Sequence, residues 1–145
     1  MRRPSGDAGN ALVEFTVLGV LLMVPLVYVL LYAFQVQRAA FGVTEAARQA
    51  GRAFARAESV EAGTEQAGTA TRLALADQGI EDAPAPLVEC PAGACLEPGS
   101  TVRVRVEYVV RLPVLSLLFP GPDGPGIPVR ATHLAVVDTF QEGAP

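Results

Sequence analysis

A run of twenty uncharged residues, Phe15 to Phe34, most constrains what this chain can fold into. At about 1.5 Å per residue, a helix of this length crosses the roughly 30 Å hydrocarbon core of a bilayer. Pro25 lies inside the run, removes one backbone donor and predicts a kink that membrane helices tolerate. We therefore expect one transmembrane helix over residues 10–35, with the lipid bilayer as its partner.

Glu14 places a carboxylate at the head of this apolar run. A carboxylate costs about 2.5 to 3.5 kcal/mol at the bilayer centre and less near its edge, so a local partner is expected. One candidate is the helix macrodipole, which favours negative charge in the first turn by about 0.3 to 1 kcal/mol. The other is a new α-amine made by cleavage between Gly9 and Asn10, one helical turn before Glu14. The residues alone leave both candidates open.

The charges flanking the run predict its orientation. Arg2 and Arg3 precede the run and favour a cytoplasmic N-terminus, although several arginines also follow it. A cleaved secretory signal fits poorly, because the apolar run is about twice the usual 7 to 15 residues and no small-x-small site closes it. We expect a single-pass protein of the cytoplasmic membrane, with residues 36–145 forming an extracytoplasmic domain.

Beyond the run, the helix is predicted to continue to about residue 57 with one apolar stripe. Its members recur at alternating spacings of four and three residues, whereas the charged residues fall elsewhere on the helix. The stripe either packs on the chain's own domain or forms a seam against neighbouring subunits. The predicted stripe residues are Val36, Ala40, Val43, Ala47, Ala50 and Phe54.

The rest of the domain reads as one short helix and a small sheet. Ser59 is a candidate N-cap, and Gly79 followed by Ile80 is a candidate C-terminal cap for a helix over residues 60–78. Strict alternation predicts strands at 101–112 and 127–138, with a short edge strand at 87–90. The fold class is therefore α+β: a long N-terminal transmembrane helix continuing into an amphipathic helix, and a second helix packed on an antiparallel sheet of about three strands.

An apolar segment, residues 113–120, separates the two long strands and is bracketed by Pro113 and Pro120. Prolines at both ends argue against a ladder strand throughout. The segment either folds back over the small core, forms an exposed docking patch, or dips toward the bilayer surface.

Few residues in the chain are candidates for catalysis or for binding a metal or cofactor. Cys90 and Cys95 bracket a Pro and Gly turn, which in an exported domain indicates a disulfide. Two thiols without further ligands do not make a closed zinc site, and the lone imidazole, His133, lies within a strand pattern. No phosphate loop, metal-ligand spacing or nucleophile elbow occurs, so we expect no catalytic residues, no metal and no cofactor. The formal charge of −4 does not suggest a nucleic-acid surface.

With this architecture in place, the chain resembles the TadE-like minor pilins, or pseudopilins, of the tight-adherence (Flp) pilus system. The likeness covers nearly the full chain, although its C-terminal strand pattern is generic. It rests on Gly9 Asn10 Ala11 Leu12 Val13 Glu14 Phe15, on the Pro25-interrupted run, on the Ala and Arg rich helix to Ala57, and on the strand pattern from Thr101. Phe15 stands where the major pilins of this system typically carry Tyr, and the related TadF-like proteins share the leader.

The resemblance implies a specific maturation and role. Residues 1–9 would be a leader removed after Gly9 by a prepilin peptidase, leaving Asn10 as the mature N-terminus. Glu14 would pair with that new amine during assembly, and the partners would be other pilins and the pilus assembly platform. Two other classes remain open: an unprocessed single-pass protein with a partner-binding or sensing domain, and a soluble domain freed by signal peptidase.

Overall fold

The computed structural model describes residues 7–91, 93, 95–111 and 125–139, with the backbone alone for residues 7–10. The elements in chain order are α1 (Asp7–Ala55), α2 (Val60–Ala76), β1 (Leu87–Glu89), β2 (Thr101–Arg111) and β3 (Gly126–Val136). The predicted α+β class is confirmed. α1 begins at Asp7, three residues before the predicted start at residue 10, and the other element ends lie within two residues of the predicted ones. The predicted apolar segment 113–120 and Leu112 lie outside the described residues.

The chain divides into two units, residues 1–34 and residues 35–145. The described part of the first unit is helical throughout, and the helix continues through Pro25. Its large apolar side chains are exposed on all sides, from Leu12 to Phe34. The predicted kink at Pro25 stays a prediction.

The second unit, hereafter the module, contains the sheet, with strand order β1-β2-β3 and antiparallel pairing throughout. Register pairs Val104 with His133 and Val102 with Ala135. Alternation along β2 buries Val102, Val104 and Val106 on one face, as its period-two pattern predicts. The opposite face carries Arg103, which is half-exposed. Its Nη1 lies 3.7 Å from Oε2 of Glu89 on β1.

The two helices of the module form an antiparallel hairpin. Phe54 of α1 lies beside Gly63 of α2, and Gly42 of α1 lies beside Leu75 near the other end of α2. Within the described residues, one buried cluster joins both helices to the sheet. Its members are Ala50, Phe54, Ala55, Ala67, Val102, Val104, Ala135 and Val137.

Both predicted caps of α2 are present. The Ser59 hydroxyl accepts a hydrogen bond from the Ala62 N–H at 3.2 Å. At the other end Gly79 has φ +73°, its N–H donates to the Ala76 carbonyl, and the Ile80 N–H donates to the Leu75 carbonyl. These two bonds make the Schellman arrangement that ends a helix at a left-handed glycine.

Candidate functional site

The N-terminal candidate residues lie at the start of α1. The helix begins at Asp7, so the Gly9–Asn10 peptide bond lies within helical backbone. Glu14 is exposed and borders a shallow hollow of about 410 Å³ with Val13, Val17 and other aliphatic residues of the same helix face. Because residues four apart share one helix face, Glu14 and Asn10 lie one turn apart on the same side.

The apolar helix itself has the length and composition to cross a membrane. The most apolar 18-residue stretch of the helix that starts at Ala11 has a mean hydropathy of 2.5. None of this stretch is buried within the chain. A helix that is apolar on all sides, and that its own protein does not cover, is typical of a membrane-spanning segment. The helix is compatible with a single-pass membrane protein.

The predicted stripe packs mainly within the module itself. Val43, Ala47, Ala50 and Phe54 are each at most 1% exposed, so they contact their own chain and not a neighbour. Val36 is half-buried. Ala40, in contrast, is exposed, and the inward positions near it are Ala39 and Ala46, which the predicted stripe omitted. The stripe is therefore wider than an alternating three-and-four pattern, because α1 is covered by α2 on one side and by the sheet on another.

Gly51 is the residue of α1 that lets the helix approach the sheet. A Cβ at this position would stand 3.1 Å from His133 Cδ2 and 3.2 Å from the Ala135 Cβ. His133 is half-buried at this contact, which fits a packed histidine better than a catalytic one. Sequence reasoning missed Gly51, although a glycine inside a strongly helical pattern is itself a signal of close packing.

Arg38 forms a second link that the sequence did not reveal. Its Nη2 donates a hydrogen bond of 2.8 Å to the Gln78 carbonyl, just beyond the C-terminal end of α2. A cation at that end complements the negative pole of the helix and one of its unpaired carbonyls. A hollow of about 250 Å³ beside this contact is lined also by Gln35, Tyr108 and Val110.

The disulfide prediction is confirmed. Cys90 and Cys95 are bonded, with their Cα atoms 5.1 Å apart. Gly93 between them has φ +83°, and its N–H donates to the Cys90 carbonyl. The Ser100 hydroxyl donates to the Cys95 carbonyl, so the small loop is tied to the start of β2.

The described residues contain no group of three or more His, Cys, Asp or Glu side chains placed to hold a metal ion. The hollows are shallow depressions, and the roomiest of those described, about 600 Å³, combines Asp82, Glu107 and Arg111 with Tyr108 and Val109. These side chains form no recognisable nucleophile and base pair.

Comparison of the chain with protein-family models, curated proteins and solved structures finds no match.

Proposed function

We propose that this protein is a minor pilin or pseudopilin of a tight-adherence (Flp) pilus, cleaved after Gly9 by a prepilin peptidase and acting in pilus assembly. The observation that carries the proposal is the exposed Glu14 carboxylate at the head of an uncovered apolar helix. It lies one turn from Asn10, where cleavage would create a cation. A membrane anchor alone gives no reason for that pairing.

The proposed role of Glu14 is to set the axial register between subunits. When apolar helices pack side by side, a carboxylate and an amine each need a partner. Removing one partner of a buried ion pair costs about 3 to 5 kcal/mol. In this proposal the pair forms between subunits, and the stagger that brings each Glu14 to the Asn10 amine of a neighbouring subunit leaves neither charge unpaired. The TadE-like and TadF-like proteins share the leader, so the proposal covers both.

The remaining features support an extracytoplasmic module on such an anchor. Arg2 and Arg3 favour a cytoplasmic N-terminus, which puts Gly9 on the side where prepilin peptidases cut. The Cys90–Cys95 disulfide fits an oxidising compartment on the other side of the membrane. Partners in this proposal are the peptidase, other pilins and the pilus assembly platform.

One observation favours a second candidate, an unprocessed single-pass protein whose module binds a partner or senses envelope conditions. The bond after Gly9 lies in helical backbone, whereas proteolysis concentrates in exposed, loosely held segments. Cleavage would therefore require the first turn of α1 to unwind. That turn is the least costly to open, because the first four N–H groups of a helix have no intrahelical partner.

Intact mass and N-terminal sequencing of the membrane-extracted protein separate the candidates. A chain that begins at Asn10 supports the pilin, a chain that begins at Met1 supports the unprocessed anchor, and a start beyond Phe34 indicates signal-peptidase release. The Gly9→Ala variant should keep its leader. A mature N-terminus at Asn10 in that variant would refute the proposed cleavage site.

A further inference from the structure

The helix hairpin of the module has an outward charged ridge on each helix. The α1 ridge contains Glu45, Arg52 and Arg56, and the α2 ridge contains Glu61, Glu65 and Arg72. All six charged side chains are exposed, and within the described residues none of them forms an ion pair. Both ridges are therefore available to a partner.

The contacts between the helices fix which ridge residues lie at the same height. Residue 54 lies beside residue 63, and residue 42 lies beside residue 75. Because the helices are antiparallel with the same rise per residue, each step along α1 corresponds to one step back along α2. The same correspondence matches Arg56 with Glu61, Arg52 with Glu65, and Glu45 with Arg72.

Every one of these three matched pairs has opposite charges. We propose that the α1 ridge of one copy of this chain packs against the α2 ridge of a second copy, side by side and in the same orientation. The contact is heterologous, since each copy uses a different surface, so it can be repeated from copy to copy.

Charge complementarity selects this arrangement over the two homotypic ones. If α1 met α1 at the same height, Arg52 would face Arg52 and Arg56 would face Arg56. If α2 met α2, Glu61 and Glu65 would each face an identical carboxylate. Like charges brought together disfavour both contacts, and only the α1-to-α2 contact pairs opposite charges at all three heights.

An exposed aromatic ring adds an apolar contact to the same ridge. Phe41 is 72% exposed and lies on the α1 face that carries Glu45 and Arg48. Its matched height on α2 is that of Ala76, which is also exposed and small enough to accept a ring. Phe41 of one copy therefore packs over Ala76 of the next.

Membrane anchoring makes so modest a contact sufficient. Exposed ion pairs contribute little individually and are screened by salt. Two copies held in one bilayer already share a high effective concentration, which lowers the affinity required. The contact does not require cleavage after Gly9, so it is independent of the proposed function.

Energy transfer between donor-labelled and acceptor-labelled full-length chains in neutral-lipid vesicles tests the proposal. The wild-type chain should associate at low salt and separate as salt rises. The double variant Arg52→Glu/Arg56→Glu should associate roughly tenfold more weakly, because two attractions become repulsions. Adding Glu61→Arg and Glu65→Arg to the same chain restores both matched pairs and should restore association.

The matched control is Arg111→Glu/Arg130→Glu, which makes the same change of net charge on exposed residues of the sheet. This control should associate as the wild type does. The proposal is overturned if the wild-type chain does not associate, if the ridge variant associates as well as the wild type, or if the fourfold swap fails to restore association. Circular dichroism of each variant confirms that α1 and α2 remain folded.

Discussion

Gly63 of α2 lies against the ring of Phe54 in α1 so closely that a Cβ at position 63 would stand 2.9 Å from Phe54 Cδ2. Phe54 is completely buried, so a shift of its ring away from an added Cβ would have to displace the residues packed around it. The crossing of the two helices therefore depends on the absence of a side chain at Gly63. A second glycine of α2, Gly68, is a matched control, because a Cβ added there would have no heavy atom within 4 Å beyond its own helix backbone and chain neighbours.

Replacing Gly63 with alanine should destabilise the module. Overpacking costs about 1 to 3 kcal/mol, whereas the better helix propensity of alanine returns about 1 kcal/mol. Gly68→Ala gains the same propensity without the clash and should stabilise the protein by up to about 1 kcal/mol. Thermal unfolding followed by circular dichroism should give opposite shifts of Tm. Equal shifts for the two variants would contradict the close contact at Phe54.

Loss of the N-cap at Ser59 should weaken α2. Ser59→Ala removes the acceptor for the Ala62 N–H and should lower the free energy of unfolding by about 1 kcal/mol. Ser59→Asp keeps an acceptor at the same place and should stay close to the wild type. Denaturant titration of the three proteins measures the difference, and an Ala variant as stable as the Asp variant would show that the cap contributes nothing.

Removing the disulfide should also destabilise the module. Loop-closure entropy for so short a loop gives about 2 kcal/mol for the Cys90→Ser/Cys95→Ser variant. A reducing agent should lower the Tm of the wild type toward that of the variant and leave the variant unchanged. If the reductant shifts both proteins equally, the effect does not come from this bond.

Replacing Glu14 should separate processing from assembly. Glu14→Ala should still be cut after Gly9, because the carboxylate acts in the proposed register and not in cleavage. The amount of the variant in sheared filaments, divided by its amount in membranes, should fall by a factor on the order of ten or more. The reason is that the Asn10 amine is then left unpaired. Thr16→Ala, whose hydroxyl bonds only to the Leu12 carbonyl in the described structure, should behave as wild type. A normal ratio for Glu14→Ala would end the register argument.

The sequence correctly predicted structural features that depend on neighbouring residues along the chain. The alternation in β2 predicted its buried valines, and Ser59 with Gly79 predicted where α2 begins and ends, because caps and strand faces depend on neighbouring residues. The stripe on α1 was predicted less well at Ala40. Periodicity finds an apolar face, but the width of that face depends on how many partners cover it.

The sequence by itself determined the apolar span, the α+β class, the α2 caps and the Cys90–Cys95 pairing, since each follows from spacing along the chain. Only the tertiary structure decided that Gly51 packs against His133 and that Gly63 packs against Phe54. It also decided that Arg38 donates a hydrogen bond at the C-terminal end of α2. It also decided the heights at which the charges of α1 and α2 stand. These relationships join residues from separate elements, and their geometry depends on helix rotation and axial offset, which core packing sets and hydrophobic periodicity does not encode.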